Sequence, residues 1–71
     1  MWVKYKDILI FLQNITHIER RGRTVIFHYL NAKPLLLPFE NQEQAKKWFE
    51  GFFLMAKSGN IPIDTSDWEI H

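Results

Sequence analysis

The 71-residue chain contains no cysteine. That excludes disulfides, thiol catalysis, cysteine-type zinc sites and iron–sulfur clusters. Glycine is scarce too: Gly22, Gly51 and Gly59 stand alone, so no glycine-rich phosphate loop is available. No apolar run is long enough to cross a bilayer as a helix. The segment ILIFL near the start follows Asp7, is shorter than the apolar core of a secretion signal and lacks a small-residue cleavage site, so it reads as a strand. A cysteine-free chain suits a reducing cytoplasm, and a cytoplasmic protein with no membrane partner is the expectation.

A chain of this length buries a modest fraction of its surface. With disulfides excluded, oligomerisation is the expected source of extra stability, a homodimer first. What the chain has in plenty is large apolar side chains: Trp2, Trp48, Trp68 and six phenylalanines, a globular composition. Net charge is +1, unevenly placed. Residues 1–60 hold all nine lysines and arginines against five acidic residues; residues 61–71 hold Asp64, Asp67 and Glu69. A single domain over 1–60 with an extended acidic tail over 61–71 follows, and the charge split suggests that the tail docks on the body.

Strand-like segments come first. MWVKY and ILIFL flank Lys6-Asp7; ITHIE and TVIFHYL flank an arginine-rich turn; PLLLPF follows NAK. Gln13-Asn14 between ILIFL and ITHIE is too short for a loop and reads as a bulge or bend within one long strand. The fold class expected is therefore α+β: a four-stranded antiparallel meander, one C-terminal amphipathic helix on one sheet face, and the tail. Pro34 and Pro38 place the last strand at an edge, because proline cannot donate to a ladder. Asn41 caps the helix, with Gln44 completing a capping-box pattern. Ala45, Trp48, Phe49, Phe52, Phe53 and Ala56 form its core-facing stripe. Ser58-Gly59-Asn60 and Pro62 end it.

Turn positions fix strand parity. A two-residue turn at Arg21-Gly22 sets Ile18 opposite Val25, a three-residue turn at 31–33 sets Phe27 opposite Leu37, and Lys6-Asp7 sets Val3 opposite Ile10. One face then collects Met1, Val3, Ile10, Leu12, Ile18, Val25, Phe27, Tyr29, Leu35, Leu37 and Phe39, ready for the helix. The opposite face collects Trp2, Leu9, Phe11, Ile26, His28, Leu30 and Leu36, with Lys4, His17 and Glu19 among them. Two apolar faces need two covers, and the chain offers one helix. The second face is expected to be an interface, with Trp68 of the tail as a further anchor. Its occupant is another copy, another protein, or the tail folded back.

The stretch MWVKYKDILIFLQNITHIE, the basic hairpin and FHYLNAKPLLLPFENQEQAKKWFEGF resemble small uncharacterised bacterial proteins. Their IxLxNI motif is matched by Ile10, Leu12, Asn14 and Ile15, and their EEAxxxF helix by Glu43, Ala45 and Phe49. The layout is also similar to the C-terminal part of a pleckstrin-homology-like sheet with its closing helix. The resemblance covers residues 1–56 and implies a meander-plus-helix fold without known chemistry.

The hydroxyls of Thr16, Thr24, Ser58, Thr65 and Ser66 have no base at a telling spacing, and the carboxylates are dispersed. No enzyme, cofactor or metal is assigned. His17, His28 and Glu19 share a face as diagonal neighbours and could hold a metal ion, but ordinary polar residues of a mixed face give the same pattern. A non-catalytic interaction or structural module that self-associates is the leading reading. The alternative is a nucleic-acid-binding module using Arg20, Arg21 and Arg23 of the hairpin with Lys4 and Lys6. Arginines at a turn more often serve as solvated edge charges.

Overall fold

The computed structural model of the protein describes residues 2–59 and 64–66. It is α+β, with five strands and one helix: β1 (Trp2–Tyr5), β2 (Ile8–Phe11), β3 (Ile15–Arg21), β4 (Thr24–Tyr29), β5 (Leu35–Pro38) and α1 (Gln42–Ser58). The strands form two antiparallel sheets, β1-β2 and β3-β4-β5. A single four-stranded meander is thus replaced by a hairpin and a three-stranded meander. The division falls at Asn14, whose φ of 64° is left-handed and cannot continue a strand. The freed Asn14 carbonyl accepts from the Leu30 N–H at 2.8 Å, tying the bend to the end of β4.

The β1-β2 register matches the turn at Lys6-Asp7, with Val3 opposite Ile10. In β3-β4 the two-residue loop is Gly22-Arg23 rather than Arg21-Gly22. Arg21 pairs with Thr24, and Ile18 with Phe27. Gly22, at φ 59°, supplies the left-handed first position that a tight hairpin needs. In β4-β5 Val25 pairs with Leu37 and Phe27 with Leu35. Both registers differ from the expected ones by two residues, which conserves the face of every side chain.

A bulge interrupts the β3-β4 ladder between Ile15 and His17, leaving Thr16 as the extra residue. It allows Ile15 and Ile18, three positions apart, both to pack on the core. That core is Val3, Tyr5, Ile10, Val25, Phe27, Leu37, Phe39, Ala45, Trp48 and Phe52. Leu12, Tyr29 and Leu35 flank it. The inner face read from the sequence is therefore the buried one, Met1 lying outside the described residues. Trp48 is the hub, with Tyr5, Phe27, Phe39 and Phe52 rings all within 6 Å of its centroid.

The helix begins where Asn41 Oδ1 accepts from the Gln44 N–H at 2.9 Å and ends at Gly59 with φ 81°. Ala45, Trp48 and Phe52 are buried, whereas Phe53 and Ala56, placed on the expected stripe, are exposed. Phe53 and Ala56 line an open groove beside Ile18 of β3, so the arc that meets the core narrows at the end of the helix.

The two edges of the larger sheet differ. Phe39 N–H donates to Arg23 O at 2.8 Å, so the N–H groups of Leu35 and Leu37 point inward with it. The outward positions are Pro34, Leu36 and Pro38, of which only Leu36 carries a donor. On the other side, no described strand pairs with the outer edge of β3.

Candidate functional site on the outer sheet faces

Alternation along each strand sends every second side chain away from α1. On the hairpin these are Trp2, paired with Phe11, and Leu9, paired with Lys4. Trp2 is 40% exposed, Leu9 53% and Phe11 59%. On the larger sheet Ile26 stands between Glu19 and Leu36, and His17 faces His28. Leu36 is exposed, as is Leu30 just beyond β4; Ile26 and His28 are half-buried. Every expected interface residue that is described lies away from the core. Trp68 lies outside the described residues. The two sheets are joined by the Tyr29 hydroxyl, which donates to Phe11 O at 2.7 Å. Partial burial pushes the Tyr29 phenol above its ordinary pKa.

Beside Ile26 sits a polar cluster. The His17 and His28 rings are stacked, with centroids 4.0 Å apart and planes 11° off parallel. His28 Nε2 lies 3.2 Å from Glu19 Oε1, and Arg21 Nε lies 3.1 Å from the same oxygen. The hydrogen bond from His28 holds the Glu19 carboxyl below its ordinary pKa; partial desolvation opposes this and the Arg21 charge assists it. Thr16, extruded by the bulge, donates its hydroxyl to His28 O at 3.3 Å and contacts His17 Nδ1 at 3.1 Å. The two-residue change in register turns the expected diagonal histidines into a directly opposed pair.

The basic residues do not converge. Arg20 and Arg21 alternate to opposite faces. Arg20 Nη1 donates to Gly22 O at 2.9 Å, Arg21 holds Glu19, and Arg23 Nη1 donates to Phe39 O at 3.3 Å. Lys4 belongs to β1 and Lys6 to the turn that follows it. Lys4 Nζ is 3.8 Å from Asp64, and Lys6 Nζ lies 5.3 Å from the centre of the Tyr5 ring.

Residues 64–66 return to the body beside β1 and leave its outer face open. Asp64 makes a parallel bridge with Lys4, and Thr65 N–H donates to Lys4 O at 2.7 Å. The Thr65 side chain, fully buried, donates to Lys4 O at 2.8 Å and accepts from Trp48 Nε1 at 3.0 Å. Lys6 N–H donates to Ser66 Oγ at 2.7 Å. Sequence reasoning placed Trp48 in the core without asking which group takes its indole N–H. A buried tryptophan needs such an acceptor, and that requirement was the available signal. A second feature missed is a shallow apolar groove of about 190 Å³ between β3 and the end of α1, lined by Ile18, Phe49, Phe52, Phe53 and Ala56.

Among the described residues, no helix is long and apolar enough to cross a membrane. No family model, no curated protein and no solved structure matches the chain. The resemblance to small bacterial meander-plus-helix proteins thus rests on its quoted residues, and function is argued from geometry.

Proposed function

We propose that the protein is a small, non-catalytic interaction module of the cytoplasm that self-associates, as a homodimer, through the outer faces of its sheets. The observation that carries this reading is the set Trp2, Leu9, Phe11, Leu30 and Leu36, all large, apolar and at least 40% exposed, while Val3, Ile10, Val25, Phe27 and Leu37 of the inner face are fully buried. The described part of the tail lies along β1 and does not cover them. Burying a fully exposed side chain of this size gains roughly 1.5–3 kcal/mol. At about half exposure, five from each of two copies gain on the order of 10 kcal/mol. Association costs about 4–15 kcal/mol, so a weak, concentration-dependent dimer is the expected state. A nucleic-acid surface is the weaker reading, because Arg20, Arg21 and Arg23 are each engaged locally and aimed apart.

Sedimentation equilibrium over a range of protein concentrations tests the reading. Mass should rise from 8.6 kDa toward twice that value. Phe11→Glu and Leu36→Glu, both at exposed positions, should hold the chain at monomer mass without loss of folded signal. A wild-type chain that stays monomeric at millimolar concentration overturns the proposal, as does a dimer that both substitutions leave intact.

A further inference from the structure

The cluster beside Ile26 has a chemistry that self-association does not use. We propose that His17, Glu19 and His28 form a binding site for one first-row divalent transition-metal ion, such as zinc. The inference does not require the dimer, since all three donors belong to one chain, but they stand on the same outer face as Leu36.

The first support is geometry. One donor atom from each of the three residues lies within 4.8 Å of the others. His28 Nε2 and Glu19 Oε1 already stand 3.2 Å apart. Bonds of about 2.0–2.2 Å to zinc bring tetrahedral donors to roughly 3.5 Å from one another. Closing the site needs the His17 and His28 rings, now stacked with centroids 4.0 Å apart and planes 11° off parallel, to turn about their side-chain torsions until their in-plane lone pairs converge, with the ion displacing the proton between His28 Nε2 and Glu19. The backbone needs no change, because His17 and His28 are directly opposed on adjacent strands and Glu19 follows two residues along β3 on the same face.

The second support is the groups around the donors. Thr16 has one hydroxyl proton, which it gives to His28 O. With that bond in place, the 3.1 Å contact with His17 Nδ1 is one in which the ring donates, and this tautomer presents Nε2 as the ligand. Metal-bound histidines are commonly oriented by a hydrogen bond at their other nitrogen in this way. On Glu19, His28 and Arg21 both contact Oε1, and Oε2 takes part in neither pair. The Arg21 side chain is 76% exposed, so it can turn into water as the metal's charge arrives.

The donor set indicates the class of ion. Two imidazoles and one carboxylate suit zinc, copper, nickel or cobalt, whereas calcium and magnesium prefer oxygen alone. Three protein donors leave a coordination position for water or for a group from outside the chain.

The test is titration of the full chain with zinc by calorimetry, and with cobalt(II) followed by its visible absorption. One ion per chain is expected, with NMR signals of the His17 and His28 rings shifting and those of His71 unmoved. His17→Ala, His28→Ala and Glu19→Gln should each weaken binding at least tenfold, and Thr16→Val about tenfold through the orientation of His17. His71→Ala should leave affinity unchanged. The NMR readout needs no variant, so a substitution that unfolds the chain does not blunt the test. Absence of saturable binding, ring shifts confined to His71, or wild-type affinity in the His17 and His28 variants overturns the proposal.

Discussion

Replacing Thr65 with valine removes one hydroxyl while keeping shape and volume almost constant. That hydroxyl is fully buried, accepts from Trp48 Nε1 at 3.0 Å and donates to Lys4 O at 2.8 Å. The two partners lose unequally. Lys4 O still accepts from the Thr65 N–H at 2.7 Å, whereas the indole N–H loses this acceptor and meets a methyl group. Depriving a buried donor of its acceptor costs about 1–3 kcal/mol. A chain of this size has roughly 4–10 kcal/mol in total, so the loss is a large fraction of its stability. At about 4–8 °C per kcal/mol, a 2 kcal/mol loss lowers Tm by roughly 8–16 °C. Thr65→Ser keeps the hydroxyl and deletes one methyl, costing about 0.8 kcal/mol. Urea unfolding followed by circular dichroism measures all of these. Trp48→Phe, alone and with Thr65→Val, completes a double-mutant cycle whose coupling should fall within about 0.5–3 kcal/mol. A Thr65→Val protein within about 0.5 kcal/mol of wild type, or a cycle with no coupling, refutes the role given to this hydroxyl.

Two further outcomes follow from the same region and from the arginine hairpin. The Ser66 hydroxyl and N–H hold the Asp64 carboxyl below its ordinary pKa against an opposing desolvation, with Lys4 assisting. A carboxyl depressed on folding stabilises above its unfolded pKa of about 3.9 and loses that contribution as pH falls through the lower folded value. Stability should thus decline below about pH 4 partly through Asp64, and Asp64→Asn should flatten that part of a stability–pH profile; an unchanged slope refutes the assignment. At the hairpin, Gly22 has φ 59° and no atom within 4 Å of where a Cβ would stand. Gly22→Ala should therefore cost about 1–2 kcal/mol of backbone strain and no clash, as read by urea midpoints. A Gly22→Ala protein as stable as wild type would contradict a strain origin.

How much of this was legible in the sequence depended on which quantities tolerate error. Moving the two-residue loop from Arg21-Gly22 to Gly22-Arg23 changes each partner by two positions and leaves parity untouched. The inner face from Val3 to Phe39 was therefore readable even though two of three registers were not. The hairpin's true position follows from glycine's freedom at positive φ, which favours it as the first residue of the loop. The division into two sheets was harder. It depends on Asn14 taking a left-handed conformation, and a polar pair between two apolar runs suits a bulge equally well. The exposed end of the helical stripe, Phe53 and Ala56, depends on where the groove beside β3 opens beneath α1, which no helical period encodes. At the histidine cluster, sequence placed three donors on one face; their directly opposed geometry needed the observed register and the bulge at Thr16.

The unlike edges of the three-stranded sheet limit what the protein can build. Strand addition requires donors and acceptors in alternation along a free edge. The outer edge of β5 presents a single N–H, from Leu36, between two prolines, whereas the outer edge of β3 is seven residues long and pairs with no described strand. Two copies joined along β3 would leave only proline-bearing edges at both ends of the merged sheet. Further strand addition to that merged sheet would meet proline at either end, so β5 works against open-ended pairing of the larger sheet.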